Sequence, residues 1–366
     1  MSSLFGAETV NDVIKALVEG EDINEIFLGT TVLYVACANG NLELVDFLLK
    51  NGADPLIHEA EIPGPIQVAA ENGHINVIKR LLKAGVDIDD DTYGTPLYYG
   101  SKKGYIDVID FLLSQGADID FDSSYGTALM GACEAGEIDA VGYLLEMGAN
   151  VNISNGLGET ALSSACSNGV PEIIDRLIVH GAIIDVYNSI NPPIISAIKS
   201  KNIQIIDKLI GLGADVNIKD IYGTPAMFYA INSNNLEIIL LLINNQVDNT
   251  RTNSSGTSVT EYAKNHSDIL FIMWLNNFNT IKCEKLIDII GKLFILGVDI
   301  NYADDYGRTI LMLSVKNMDI FAVEKLLDLG ADVNLRDNNG NTAISFARMK
   351  HNQEIIHLLK RYGAQE

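Results

Sequence analysis

A doublet of Leu or Ile, two variable residues and a glycine recur along almost the whole chain at nearly constant intervals. "LLKNG" ends at Gly52, "LLKAG" at Gly85, "LLSQG" at Gly116, "LLEMG" at Gly148, "LIVHG" at Gly181 and "LIGLG" at Gly213, in steps of 33, 31, 32, 33 and 32 residues. "LLINN" at Asn245 continues the series at 32, and "LFILG" at Gly297, "LLDLG" at Gly330 and a terminal Gly363 follow one another at 33. Such a period marks a repeat array. One unit of two short elements cannot bury its own apolar faces, so each neighbour completes the core of the next.

Within a unit the grammar is constant. Gly and Thr with an apolar residue open a first helix that carries small residues, a break such as "ANG", "ENG", "EAG" or "SNG" follows, and a second helix ends in the doublet before "GAD[VI][ND]". Glycines at the break and the end suit helix termini. In "GETALSSACSNGVPEIIDRLIVHGAIID", Thr160 is placed to cap the first helix and Pro171 to open the second, where its missing donor costs little. Asn or Asp after Val or Ile then starts a turn by bonding its own backbone.

These units resemble ankyrin repeats, most closely in "GADVNIKDIYGTP" (Gly213–Pro225) and "GADVNLRDNNGNTAISFA" (Gly330–Ala347), and the resemblance covers nearly the whole chain. It implies an all-α solenoid of stacked helix-turn-helix units with projecting hairpin-like loops, which binds other proteins through its concave face. It also implies that Asn152, Asn217 and Asn334 fall where an oxygenase hydroxylates asparagine in this family, with Asp89 and Asp120 at the same phase.

The expected organisation is a helical cap over 1–28, seven repeats over 29–255, an irregular repeat over 256–306 and two repeats over 307–366, the last closing the stack. In the cap, Val13, Ile14, Leu17 and Val18 are expected to face the first repeat. The pairs Gly94-Thr95 and Gly126-Thr127 lack the residue usually found between Gly and Thr, and "IPGPIQVAA" and "INPPIISAI" replace the usual opening, so altered loop paths are expected there.

Between Asn245 and Gly297 the step is 52, which leaves about 19 extra residues around "HSDILFIMWLNNFNTIKCEKLIDIIGKLFILG". One reading places "SDILFIMWLNNF" as a first helix at or beside the usual second-helix position, followed by an elongated helix. Trp274, the only Trp, and Phe271, Met273 and Phe278 either pack this irregular unit or present a docking patch, since aromatics and Met favour interface centres.

Composition narrows the partner. Apolar residues make up 48% of the chain, so it folds despite a formal net charge of -23. Residues 1–130 carry 21 Asp or Glu against 7 Lys or Arg, so a nucleic-acid backbone would be repelled and a basic protein surface favoured. No apolar run reaches the ~18 residues of a membrane span. "MSSLFGAETVNDVIKALVEG" has no basic-then-apolar leader pattern. The expectation is a cytoplasmic protein, monomeric by itself and without a membrane partner, with delivery into a host cell by another route left open.

No catalytic, metal-binding or cofactor-binding constellation is expected. Cys37, Cys133 and Cys166 share one phase of the repeat and read as small core residues, a usage that fits a reducing compartment. The six His show no zinc-ligand spacing, and His74 reads as a capping or packing residue. "DIDDDTYG" and "DIDFDSSYG" lack the length and terminal Glu of a calcium loop and read as an acidic rim. An enzyme hidden in the 256–306 unit, around His266 or Cys283, is the weakest alternative.

The residue before the loop glycine is Tyr at positions 93, 125, 222 and 306, with Leu157 and Ile190 at the same phase. Tyr93, Tyr125, Tyr222 and Tyr306 either brace neighbouring loops or form a binding ladder. Asp90, Asp91 and Asp122, with Asp89 and Asp120, frame the first two rungs and favour an Arg- or Lys-bearing partner. On the first helices, Lys102, Lys103 and Glu134 are candidate partner contacts. The function expected is a protein-binding scaffold or adaptor, or else an exported effector that occupies a host protein.

Overall fold

The computed structural model describes residues 3–57, 62–267 and 283–365, which fall into two compact units, 1–200 and 201–366. In the first unit, a short turn at Ser3–Gly6 and α1 (Val10–Val18) precede five helix pairs. These are α2 (Val32–Ala38) with α3 (Leu42–Lys50), α4 (Pro65–Glu71) with α5 (Ile75–Lys83), α6 (Pro96–Lys102) with α7 (Ile106–Ser114), α8 (Ala128–Ala135) with α9 (Ile138–Glu146), and α10 (Ala161–Asn168) with α11 (Pro171–Val179). The single helix α12 (Pro193–Lys199) ends this unit. The second unit holds α13 (Ile203–Gly211), the pair α14 (Ala226–Asn232) and α15 (Leu236–Asn244), α16 (Val259–Asn265) and α17 (Cys283–Leu296). It ends with the pairs α18 (Ile310–Lys316) with α19 (Ile320–Asp328), and α20 (Ala343–Met349) with α21 (Gln353–Arg361).

The repeat grammar explains each helix. Thr31, Thr95, Thr127, Thr160 and Thr309 stand one residue before a first helix, and each hydroxyl accepts the amide N–H three residues on, a cap worth about 1 kcal/mol. Pro65, Pro96, Pro171 and Pro193 begin their helices, where no amide donor is needed. First helices stack on first helices, from α2 through α4, α6, α8 and α10 to α12, while α3, α5, α7, α9 and α11 form a second row. The first Leu of the doublet is fully buried in Leu48, Leu81, Leu112, Leu144, Leu177, Leu209 and Leu326. Cys37, Cys133 and Cys166 lie in the row of first helices as free, fully buried thiols, and burial pushes each well above the usual thiol range.

Three details correct the sequence reading. The copy assigned to "LLINN" is one residue out of register: Gln246, not Asn245, takes the left-handed backbone that glycine takes elsewhere (φ 62°), and Leu242 is the buried doublet residue. In α1, Val13 and Ala16 are buried while Ile14 and Val18 are exposed, because a nine-residue helix turns only one narrow face inward and Leu4 fills the space beside it. In the irregular repeat, the second-helix row is occupied by α17, which packs on α15 and α19 and runs 14 residues where every other described second helix has nine. The segment "SDILFIMWLNNF", with Phe271, Met273, Trp274 and Phe278, lies outside the described residues apart from its first Ser.

Adjacent loops are tied by one recurrent side chain. Asn152 donates to the Gly181 carbonyl (3.0 Å) and accepts from the Ile183 amide (2.9 Å). Asn217 does the same with Gln246 and Asp248, and Asn334 with Gly363 and Gln365. Asp89 and Asp120 supply only the accepting half, from the Asp118 and Asn150 amides. Asp89→Asn restores a donor toward the next loop, so the first unit should gain about 1 kcal/mol against denaturant.

The pH dependence of that gain has a definite sign. Burial, with the charges of Asp118 and Asp87, holds the Asp89 carboxyl above its ordinary 3.8 despite the Asp118 amide bond. The native state therefore keeps a proton that the unfolded chain has lost, and stability falls as pH rises through that window. The advantage of Asp89→Asn should be full at neutral pH and shrink below 3.8, as parallel urea titrations at the two pH values would read.

Candidate functional site: a loop-flanked cleft in the first unit

Loop length decides where the tyrosines go. In three loops where one residue separates the loop glycine from the helix cap, the loop closes across six residues, Ser154 with Thr160, Lys219 with Pro225 and Ala303 with Thr309. In the two loops where the glycine directly precedes the capping Thr, the closing pairs are Thr92 with Gly94 and Ser123 with Gly126. The shorter loops draw Tyr93 and Tyr125 down onto α6. The Tyr99 hydroxyl donates to the Tyr93 carbonyl (2.8 Å), the Tyr93 and Tyr125 rings meet edge-on at 5.1 Å, and Tyr125 stacks 5.8 Å from Tyr98. Tyr222 and Tyr306, on full-length loops, stand 62% and 65% exposed. One face of Tyr306 is covered by the Arg308 guanidinium at 4.6 Å, itself paired with Asp304.

The acidic residues divide in the same way. Asp90 bonds the amide of Thr92 and so shapes its own loop. Asp91 accepts the Ser124 amide of the next loop (3.3 Å), and its charge, after burial, helps hold Asp122 above the usual carboxylate range. The helix candidates are each held in an ion pair. Lys103 pairs back to Glu71 at 3.2 Å, and Lys102 pairs forward to Glu134 at 3.0 Å while standing 5.5 Å over the Tyr98 ring. Partly exposed pairs of this kind contribute little to stability. Trp274 and Phe278 lie outside the described residues.

Beneath Tyr125 the structure holds a cleft of about 430 Å³, walled by Tyr98, Tyr125, Met130 and Leu157, with Glu134 and Glu159 on its sides and Ser163, Ser164 and Ser167 on its floor. Leu157, 51% exposed, projects from the full-length loop beside the shortened one. Tyr98 is buried, and its hydroxyl donates to Glu134 (3.0 Å). Burial and that carboxylate push the Tyr98 hydroxyl far above the usual phenol range, so it stays a donor. Of the residues predicted from sequence, Tyr125 and Glu134 line the cleft, while Tyr93 and Lys102 support it from behind.

Sequence reasoning missed Tyr98, Glu159 and the three serines. Tyr98 is marked in the sequence only by its phase, the third residue after a capping Thr, which also holds Tyr34, Met130 and Ser163. Glu159 had no comparable mark. Elsewhere, His74 packs its ring on Gly40 and meets the Ala38 carbonyl at 3.1 Å, and His266 lies against Tyr262 of its own helix. The side chain of Cys283 lies outside the described residues. Among the described residues, no three His, Cys, Asp or Glu side chains converge as a metal site, and no helix is long and apolar enough to cross a membrane.

Comparison with known proteins bears on the same features. A family model of three tandem ankyrin repeats matches residues 56–123, 129–220, 194–284 and 280–366, and a single-repeat model matches 28–59. The chain is 35% identical over 98 residues to the ankyrin repeat protein FPV014 of fowlpox virus (strain NVSL), a stretch that spans 25% of this chain and 22% of the viral protein. The crystal structure of the human ASB11 ankyrin repeat domain is similar over 58% of this chain and 98% of its own, at 24% identity and a TM-score of 0.47. Stacked helix pairs, hairpin loops and family models that together span nearly every residue lead to one conclusion: the chain belongs to the ankyrin-repeat family.

Proposed function

We propose that the chain is a non-enzymatic scaffold or adaptor that captures a partner protein through the cleft of its first unit. Ankyrin repeats in general mediate protein–protein interaction, and the observation that supports contact at this cleft is the exposed Leu157 beside the half-exposed Tyr125 over an uncollapsed, partly polar floor. Large rigid side chains around a cleft bury area at small entropic cost. Tyr222 and Tyr306 are proposed as secondary contacts, with Asp91 and Asp122 setting a preference for basic partners. The compartment proposed for this role is the cytoplasm, a reading supported by the free, buried thiols of Cys37, Cys133 and Cys166.

The test is partner capture from cell lysate, followed by calorimetric titration of the captured protein. Changing Tyr125 and Leu157 together to Ala should weaken binding tenfold or more, as loss of an interface centre does. Val179→Ala, at the exposed end of α11, should leave affinity unchanged. Equal affinity of all three proteins would reject this face.

A further inference from the structure

The two carboxylates of the cleft differ in how they are compensated. Glu134 has the Lys102 ammonium and the Tyr98 hydroxyl. Glu159 is held by two side-chain amides, Asn155 at 3.3 Å and Asn191 from the following loop, and no Lys or Arg of the described residues pairs with it. Its oxygens are thereby fixed in place without a direct ion pair, while the Lys199 ammonium donates to the Oδ1 of the same Asn191 amide. None of the cleft-lining residues is a cation. The wall beside it offers the half-exposed ring of Tyr125, backed by the buried Tyr98 on which it stacks, and serine hydroxyls line the floor.

We propose that the cleft is the seat of an arginine side chain, presented by an extended segment of the partner protein. The proposal rests on the protein-binding reading and adds the chemistry of what enters. Lys102 shows the arrangement in miniature, with a cation held at once by the Tyr98 ring and the Glu134 carboxylate at the rim. A guanidinium fits the inner part better than an ammonium. Its plane stacks on an aromatic face while its five donors reach the Glu159 carboxylate and the serine hydroxyls together. The cleft lies at the low end of the ~300–1,000 Å³ range of ligand-holding sites, so one long side chain fills much of it.

The test uses acetyl-arginine amide on the full chain labelled with 3-fluorotyrosine, with the Tyr98 and Tyr125 resonances identified by Tyr→Phe replacement. Saturable shifts at these two rings are expected. The neutral isostere acetyl-citrulline amide should bind at least tenfold more weakly, Nα-acetyl-lysine amide should fall between, and added salt should weaken the arginine response. Glu159→Gln should reduce arginine binding to the citrulline level with an unchanged unfolding transition. Equal response to arginine and citrulline on the unaltered protein, or shifts confined to other tyrosines, overturns the proposal whether or not the variant folds. A protein partner that is lost with Tyr125 and Leu157 but indifferent to Glu159→Gln would remove the arginine and keep the protein-binding function.

Discussion

Leu144→Ala should lower the stability of the first unit by about 2–5 kcal/mol, the range for emptying a fully buried leucine site. Leu144 is the first residue of its doublet, on α9, between the α7 and α11 rows. A helix pair that leans on its neighbours transmits the loss, because each interface is shared. The loss should therefore appear in hydrogen exchange of α7 and α11 as well as α9, whereas exchange confined to α9 would mean that the pairs fold independently. Val179→Ala is the matched control. Its side chain is 81% exposed at the end of α11, and its effect should stay within about 0.5 kcal/mol.

Gly158→Ala should damage both the fold and the cleft, and Gly223→Ala separates the causes. The two glycines have nearly the same left-handed backbone, φ 74° and 77°, so each substitution carries a similar strain of about 1–3 kcal/mol. A Cβ on Gly223 would find only ordinary contacts at 3.7 Å or more, with Ser254. A Cβ on Gly158 would lie 2.5 Å from the Asn188 carbonyl oxygen and 2.9 Å from the Ser189 Cα. Backbone cannot swing aside as a side chain can. The loops must separate, and the Ile190 amide bond to the Leu157 carbonyl (3.0 Å) breaks. Denaturant titration should show Gly158→Ala as the costlier change, with weaker partner binding through the displaced Leu157, while equal costs would mean that the loops give way freely.

Much of the fold was legible because its marks are backbone requirements. Terminal glycines, capping threonines and the Leu doublet each answer to a fixed conformation or a fixed burial, so they recur in phase. Gln246 escaped notice because a neighbouring Asn mimicked the missing glycine and nothing local distinguishes the two. The position of α17 follows from the steps of 33 after Gly297, but "SDILFIMWLNNF" is apolar enough to compete for it on sequence grounds.

The site was legible only in part. The phase of Tyr125 pointed to the loop edge, yet whether a tyrosine stands out or folds down follows the presence of one residue between the loop glycine and the helix cap, whose effect appears only when the loop closes. Lys102 and Lys103 looked like partner contacts because charge on an exposed helix face gives no hint of the acid one repeat away that neutralises it. Glu159 looked ordinary because its hold by Asn155 and Asn191, in place of a direct ion pair, is a property of two adjacent loops together.

The most direct measurement of the central claim is hydrogen–deuterium exchange of the chain alone and with its captured partner. Partner binding should slow exchange in 122–126, 154–160 and the first turn of α10, and leave α9 and α11 as they were. Protection confined to those second helices, with the loop edge unchanged, would contradict the account.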